Sequence, residues 1–244
     1  MKIVGVIPAR YQSSRFPGKP LADILGKPMI WWVYQQAMKA KRIDEVYVAT
    51  DDERIMNECA KYQIPAIMTS KAHCNGSERL SEVADKVEAD IYVTIQGDEP
   101  LLEPDVIESV LDIILTDSGI ECATLKTPYK NPVDVINSTT PKVVTDVEDN
   151  ILLLTRSAVP YPKAALDYII YKPIGVYAFR RDILRQYKNL SMGVLEKAEE
   201  IELLRLVEHG YKIKIKEVSS ETIAVDTKKD LLRVIEILKD RGVR

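Results

Sequence analysis

Residues 3–21 read IVGVIPARYQSSRFPGKPL, an apolar run that stops at Pro8 and becomes a loop carrying Arg10, Arg15 and Lys19. Ile3 to Ile7 has the length and branching of a buried strand. The loop behind it holds two hydroxyls, Ser13 and Ser14, and the turn pair Pro17-Gly18. Three fixed positive charges at the end of a strand make a poor core and a suitable cradle for a polyanion. A nucleoside triphosphate is the expected ligand, with a solvated basic loop as the alternative.

Charge distribution supports the first reading. Residues 1–42 carry eight Lys and Arg against the single acid Asp23, a net +7, which leaves −10 for the rest of a chain whose total is −3. Nothing global suggests nucleic acid, whereas the local excess points to a small anionic ligand near the N-terminus. A solvated helix face accounts for Lys39, Lys41 and Arg42 but not for the loop cations. The 244 residues, 46% hydrophobic and 29% charged, fit one large α/β domain or one domain with a subdomain. The longest apolar run, around Met29 to Tyr34, falls far short of the roughly 20 residues a bilayer requires. Charges at Lys2 and Arg10 give no secretory leader pattern. Cys59, Cys74 and Cys122 are odd in number and lack CxxC spacing, so neither a disulfide framework nor a zinc site is expected, and the cytoplasm is the natural setting.

Outward from the loop, strand-length apolar runs alternate with helix-length segments. Helical spacing covers Met29–Ala40, and Val46–Thr50 is a strand ending in Asp51-Asp52-Glu53, acids suited to start a helix over 54–62. Ala66–Thr69 is a strand, 78–87 a helix, Asp90–Ile95 a strand and 104–115 a helix opened by Pro104. This alternation predicts an α/β fold with a mainly parallel, Rossmann-like sheet. Ligands then bind beyond the carboxyl ends of the strands, so the Arg10 loop and the Asp98 turn should face one another. The later chain is less regular. Val143–Val147 and Ile151–Arg156 read as paired strands around Glu148-Asp149-Asn150. Tyr168–Phe179 is extended, with Pro173 and Gly175 arguing for a bulge or an edge. Leu195–His209 reads as one amphipathic helix, Lys212–Val218 as a half-exposed strand, and Ile223–Val225 as a short strand before a helix over 229–239. Residues 120–190 are expected to form an acceptor-binding and association subdomain.

The loop matches neither GxGxxG nor GxxxxGK[ST], which disfavours a dinucleotide-dependent dehydrogenase and a P-loop ATPase. Arg10, Arg15 and Lys19 suit a triphosphate that releases pyrophosphate. Asp98 and Asp226 each follow an apolar strand; either helix capping or Mg²⁺ ligation fits them. In Asn75-Gly76-Ser77-Glu78-Arg79, Ser77 is placed to approach a base or sugar and Arg79 to reach a phosphate, or else Ser77 or Asn75 simply starts the helix. His73 and His209 lack metal or triad spacing and read as surface or capping residues, and Trp31-Trp32 reads as packing.

The runs IPARYQSSRFPGKPL, GKPMI, VATDDERI, MTSKAH, GSERLSEV, QGDEPLL, PKVV, TRSAVP, IGVYAFRR and AVDTKKDL resemble, in order and over nearly the whole chain, the 3-deoxy-manno-octulosonate cytidylyltransferases. The resemblance implies a nucleotide-sugar-transferase α/β fold, a homodimer and CMP transfer from CTP to a 3-deoxy-2-ulosonic acid for lipopolysaccharide or capsule-type glycans. It implies a nucleotide-binding core over about 1–119 and 191–244. It also implies that Arg10, Ser13, Ser14, Arg15 and Lys19 hold the triphosphate. The backbone of Pro8, Ala9 and Arg10, with Ser77, Arg79 and Gln96, would hold cytidine. Asp98 and Asp226 would bind Mg²⁺, and Arg156 would pair with the sugar carboxylate. Two positions depart from the family. Pro173 stands where a histidine is usual, and Glu202-Leu203 where Glu-Gln is usual, so the acceptor preference is expected to differ. The same transfer to 8-amino-Kdo or a nonulosonate, and a non-catalytic nucleotide-sugar-binding paralogue, are the alternatives.

Overall fold

β1 (Ile3–Ala9) is the strand that the opening run predicts, buried without interruption from Ile3 to Ile7. It is followed by the two-residue strands β2 (Asp23–Ile24) and β3 (Lys27–Pro28), then α1 (Met29–Ala37), β4 (Glu45–Thr50), α2 (Glu53–Lys61), β5 (Ala66–Met68), α3 (Gly76–Lys86), β6 (Ile91–Ile95) and α4 (Pro104–Thr116). The computed structural model describes residues 1–13, 16–164, 168–220 and 223–243. The chain divides into one unit of Met1–Glu108 with Thr222–Arg244 and a second of Ser109–Glu221, the division falling inside α4. In the first unit the strand order is β6-β1-β4-β5, every pair parallel. That is the predicted α/β sheet, with crossover helices joining its strands. Trp31 and Trp32 pack edge to face at 5.0 Å, and Trp32 Nε1 donates to Ile24 O at 2.9 Å, consistent with a packing role. No helix among the described residues is long and apolar enough to cross a membrane.

The second unit adds β7 (Cys122–Pro128), β8 (Lys142–Thr145), β9 (Ile151–Thr155), β10 (Tyr171–Arg180), α5 (Arg181–Tyr187), α6 (Val194–Glu199), α7 (Leu204–Glu208) and β11 (Lys214–Glu217). β8 and β9 form the expected antiparallel pair. β7 runs antiparallel to β10 and parallel to β11. Pro173 and Gly175 do mark an irregularity, since the β10–β7 register shifts between Ile174 and Tyr177. Thr124 Oγ1 donates there to Val176 O at 2.9 Å and to Ile174 O at 3.3 Å. The edge alternative does not hold, because Tyr171 also pairs with Val143 of β8.

The single helix expected over Leu195–His209 is two helices, broken where Glu200 adopts φ 51°. The cause is a buried ion pair. Arg205 Nε and Nη2 donate to Glu196 Oε2 and Oε1 at 2.7 and 2.8 Å, with both side chains under 5% exposed. Nine residues along a straight helix amount to two and a half turns and would put these groups on opposite faces. The break lets α7 turn back so that the fork closes. Glu208 then accepts from the amides of Leu195 and Glu196 at the start of α6.

The chain returns to the first unit with α8 (Lys228–Asp240), which packs Val234 and Leu238 against Ile24, Met29, Leu101 and Val225. Thr227 caps it in a reciprocal box with Asp230. Ile223–Val225 is not a strand; Val225 N donates once, to Asp98 O at 2.8 Å.

Candidate active site

Because Thr227 does the capping, the neighbouring Asp226 carboxylate is directed elsewhere. It lies 3.5 Å from Lys19 Nζ, and Asp98 Oδ2 lies 2.6 Å from the same nitrogen. Lys19 opens a 3₁₀ turn over Lys19–Leu21, entered through Gly18 at φ 72°. Residues separated by 79 and 207 positions thus meet at one ammonium group, whose side chain is only 15% exposed. The Arg10 loop and the Asp98 turn face one another, as the strand order requires. They also approach closely: a Cβ on Gly97 would stand 2.7 Å from Pro8 O, at the end of β1.

The basic loop is fastened to α2. Arg54 lies 3.2 Å from the centroid of the Tyr11 ring, while its Nε and Nη2 fork onto Asp52 at 2.9 and 2.7 Å. Gly18 N donates to Tyr11 O at 2.8 Å, and Phe16 N to Ser13 Oγ at 3.3 Å. Arg10 Nη2 is buried with no hydrogen-bond partner among the described residues. A buried donor of this kind is costly unless an acceptor arrives. Ala9 is buried opposite Thr50 of β4. Ser14 and Arg15 lie outside the described residues.

Asp51 and Asp52 divide two tasks. Asp52 caps α2 by accepting from Arg54 N at 2.9 Å. Asp51 Oδ2 instead accepts from Arg79 Nη2 at 3.0 Å, and Arg79 Nη1 donates to Thr69 Oγ1. The Arg79 side chain is fully buried, so burial lowers its pKa while the Asp51 charge opposes that fall. Arg79 Nε has no partner among the described residues. Asn75 is the N-cap of α3, accepting from Glu78 N at 2.9 Å. Ser77 is fully buried in the first turn, and Gln96 is half-buried just beyond β6. His73, read as a surface or capping residue, is in fact paired with Glu82, Nε2 to Oε2 at 2.5 Å. His209 does cap, its Nδ1 lying 2.8 Å from Arg205 O. The partners Asp51 and Thr69 escaped the sequence reading, although an Asp-Asp pair of which one suffices as a cap was a usable signal.

In the second unit, Arg156 follows β9. Its Nε donates to Glu199 O at 2.7 Å and its Nη1 to Ser138 O and Thr139 O at 3.0 and 2.9 Å. A guanidinium so engaged no longer offers the full two-nitrogen fork expected for a carboxylate. Glu202 is half-buried before α7, and its carbonyl accepts from Tyr187 Oη at 3.1 Å. Leu203 is 1% exposed, and Pro173 stands opposite Lys126 within β10.

Comparison with known proteins bears on this arrangement. The family model described as "Cytidylyltransferase" matches residues 4–215. A 3-deoxy-manno-octulosonate cytidylyltransferase from Geotalea uraniireducens is 44% identical, covering 98% of this chain and all of that protein. The Escherichia coli protein of the same name is 43% identical over 93% of this chain and 92% of its own length. A solved CMP:2-keto-3-deoxy-manno-octonic acid synthetase complexed with CTP superposes with a TM-score of 0.93 at 42% identity, over 99% of this chain and all of that one. A Leptospira borgpetersenii cytidylyltransferase, 17% identical with a TM-score of 0.62, shares the fold. With this sequence likeness over its full length and the same fold, the chain belongs to the 3-deoxy-manno-octulosonate cytidylyltransferases.

Proposed function

We propose that this chain transfers CMP from CTP to the anomeric hydroxyl of 3-deoxy-manno-octulosonate (Kdo) or a close 3-deoxy-2-ulosonic acid. The hydroxyl oxygen bonds to the α-phosphorus, pyrophosphate leaves, and the hydroxyl proton is lost to solvent. The observation that carries this reading is the meeting of Lys19 with Asp98 and Asp226 beside a loop whose Arg10 has a buried donor without a partner among the described residues. Arg10, Ser13, Ser14, Arg15 and Lys19 hold the triphosphate, and Arg neutralises phosphate oxygens in pairs. The Pro8–Arg10 backbone, Ser77, Arg79 and Gln96 hold cytidine. Arg156 and Glu202 receive the acid.

Two carboxylates converging on one cation also fit Mg²⁺, which favours one or two carboxylates completed by phosphate oxygens and water. Asp98 and Asp226 would hold the ion, which supplies charge neutralisation at the phosphates. Residues 120–190 serve acceptor binding and homodimer formation, with the enzyme working in the cytoplasm on lipopolysaccharide or capsule-type precursors.

The buried, apolar Leu203 and the proline at 173 favour a second acceptor. Where a side-chain hydrogen bond to a substrate hydroxyl is missing, preference for that hydroxyl falls steeply. An acid altered at that position, such as 8-amino-Kdo, is then accepted alongside Kdo. Pyrophosphate release across four nucleoside triphosphates and a panel of ulosonic acids tests both readings. Turnover restricted to CTP with Kdo supports the first reading, and added turnover with an altered acid such as 8-amino-Kdo supports the second. Turnover with Kdo alone refutes the second, and absence of turnover with every pair refutes catalysis.

A further inference from the structure

Lys142, at the start of β8, is a fully buried lysine. Its ammonium donates to three main-chain carbonyls, Asn137 O at 2.7 Å, Thr140 O at 3.0 Å and Arg156 O at 3.0 Å. Among the described residues no carboxylate is within ion-pair distance of it. A buried ammonium survives only if its donors are satisfied, and three oxygens match its three N–H groups. Burial, then the neighbouring Arg156 charge, lowers its pKa, with Glu199 opposing.

Arg156 takes the two carbonyls that Lys142 leaves. Nη1 donates to Ser138 O and Thr139 O, so all four consecutive carbonyls from 137 to 140 are held by two cations, the outer pair by Lys142 and the inner pair by Arg156. Neither cation can shift without disturbing the loop that anchors the other. With Nε on Glu199 O and both Nη1 hydrogens engaged, Nη2 is the end of the guanidinium that still offers N–H groups among the described residues. Glu199 is the adjoining anion, accepting from Arg156 N at 2.8 Å and from Thr155 Oγ1 at 2.5 Å.

We propose that Lys142 is a positioning residue for the acceptor, fixing Arg156 through the 137–140 carbonyls so that Nη2 is presented to the carboxylate of the sugar acid. The inference rests on the assignment of Arg156 to that acid. Lys142 itself does not touch substrate.

The test is steady-state pyrophosphate release with Kdo varied at saturating CTP, then CTP varied at saturating Kdo. Lys142→Met is expected to raise the KM for Kdo by about 10- to 100-fold, because a misplacement of roughly 1 Å costs on the order of 100-fold. The KM for CTP should stay within about twofold, a split that general loosening would not give. Lys142→Met/Arg156→Ala should match Arg156→Ala alone, since nothing remains to be positioned. An unchanged KM for Kdo in Lys142→Met, equal rises in both KM values, or additive effects in the double variant would each overturn the proposal. If Arg156→Ala alone leaves the KM for Kdo unchanged, the assignment of Arg156 fails first, a result separate from a Lys142→Met failure beside an impaired Arg156→Ala. Should Lys142→Met not fold, Lys142→Gln, which keeps a donor for one carbonyl, is read by the same criteria.

Discussion

Gly97→Ala is expected to damage both stability and turnover through one contact. The added methyl would stand 2.7 Å from Pro8 O, and the obstacle is main chain on both sides. Pro8 is held opposite Ala49 in the parallel ladder of β1 and β4, so the yielding part is the turn after β6. Relief requires that turn to retreat by about half an ångström, and crowding of this kind costs roughly 1–3 kcal/mol. A loss of that size lowers the melting temperature by about 2–10 °C at this chain length. The same retreat carries Asp98, whose carbonyl is tied to Val225 N and whose carboxylate lies 2.6 Å from Lys19. Since about 1 Å of misplacement costs on the order of 100-fold, kcat/KM for CTP should fall by roughly tenfold. Thermal melts and a continuous pyrophosphate assay measure the two effects. Gly26→Ala is the control, because it has open space but φ +78°. It should cost about 1–2 kcal/mol of backbone strain and leave kcat/KM unchanged. A Gly97→Ala enzyme with wild-type melting and wild-type kcat/KM would refute the reasoning.

Asp98→Asn should abolish turnover and keep the fold, because the side chain is partly exposed and isosteric; persistent Mg²⁺-dependent activity in initial-rate assays would contradict the metal assignment. Arg205→Met should destabilise by about 3–5 kcal/mol in urea unfolding, because Glu196 is left charged and buried. Leu203→Gln should cost about 1–3 kcal/mol in the same assay, since its amide enters a site only 1% exposed. For Glu82, burial pushes the carboxyl up, but hydrogen bonds from Lys86, the Ser70 amide and His73 prevail and bring it to about 2. A pKa depressed on folding gives stability that is complete above the unfolded value near 4.5 and is lost as pH falls toward 2. Glu82→Gln should therefore flatten the acid limb of the stability curve between those values, read from melting temperatures across pH.

The legible part of the fold was the part written in local patterns. Short apolar runs with turn residues behind them located β1, β4, β5 and β6, and their alternation with helical segments required parallel strands. Patterns failed where a distant partner overrode them. Leu195–His209 keeps helical spacing throughout, yet the Arg205–Glu196 fork requires a break that periodicity does not report. β7 was not separated from its surroundings, because Cys122–Pro128 gains strand character from pairing with β10 and β11.

The sequence by itself determined the α/β class, the cationic loop after β1 and, through collinear motifs, the family. Composition and spacing suffice for these because they depend on residues near one another in the chain. Only the tertiary structure decided that Thr227 rather than Asp226 caps α8, that Lys19 stands between Asp98 and Asp226, and that Asp51 serves Arg79 while Asp52 serves α2. It also showed a buried Lys142 and Arg156 sharing four consecutive carbonyls. A side chain with two possible partners carries no local mark of its choice, which is settled by which group the fold brings within about 3 Å.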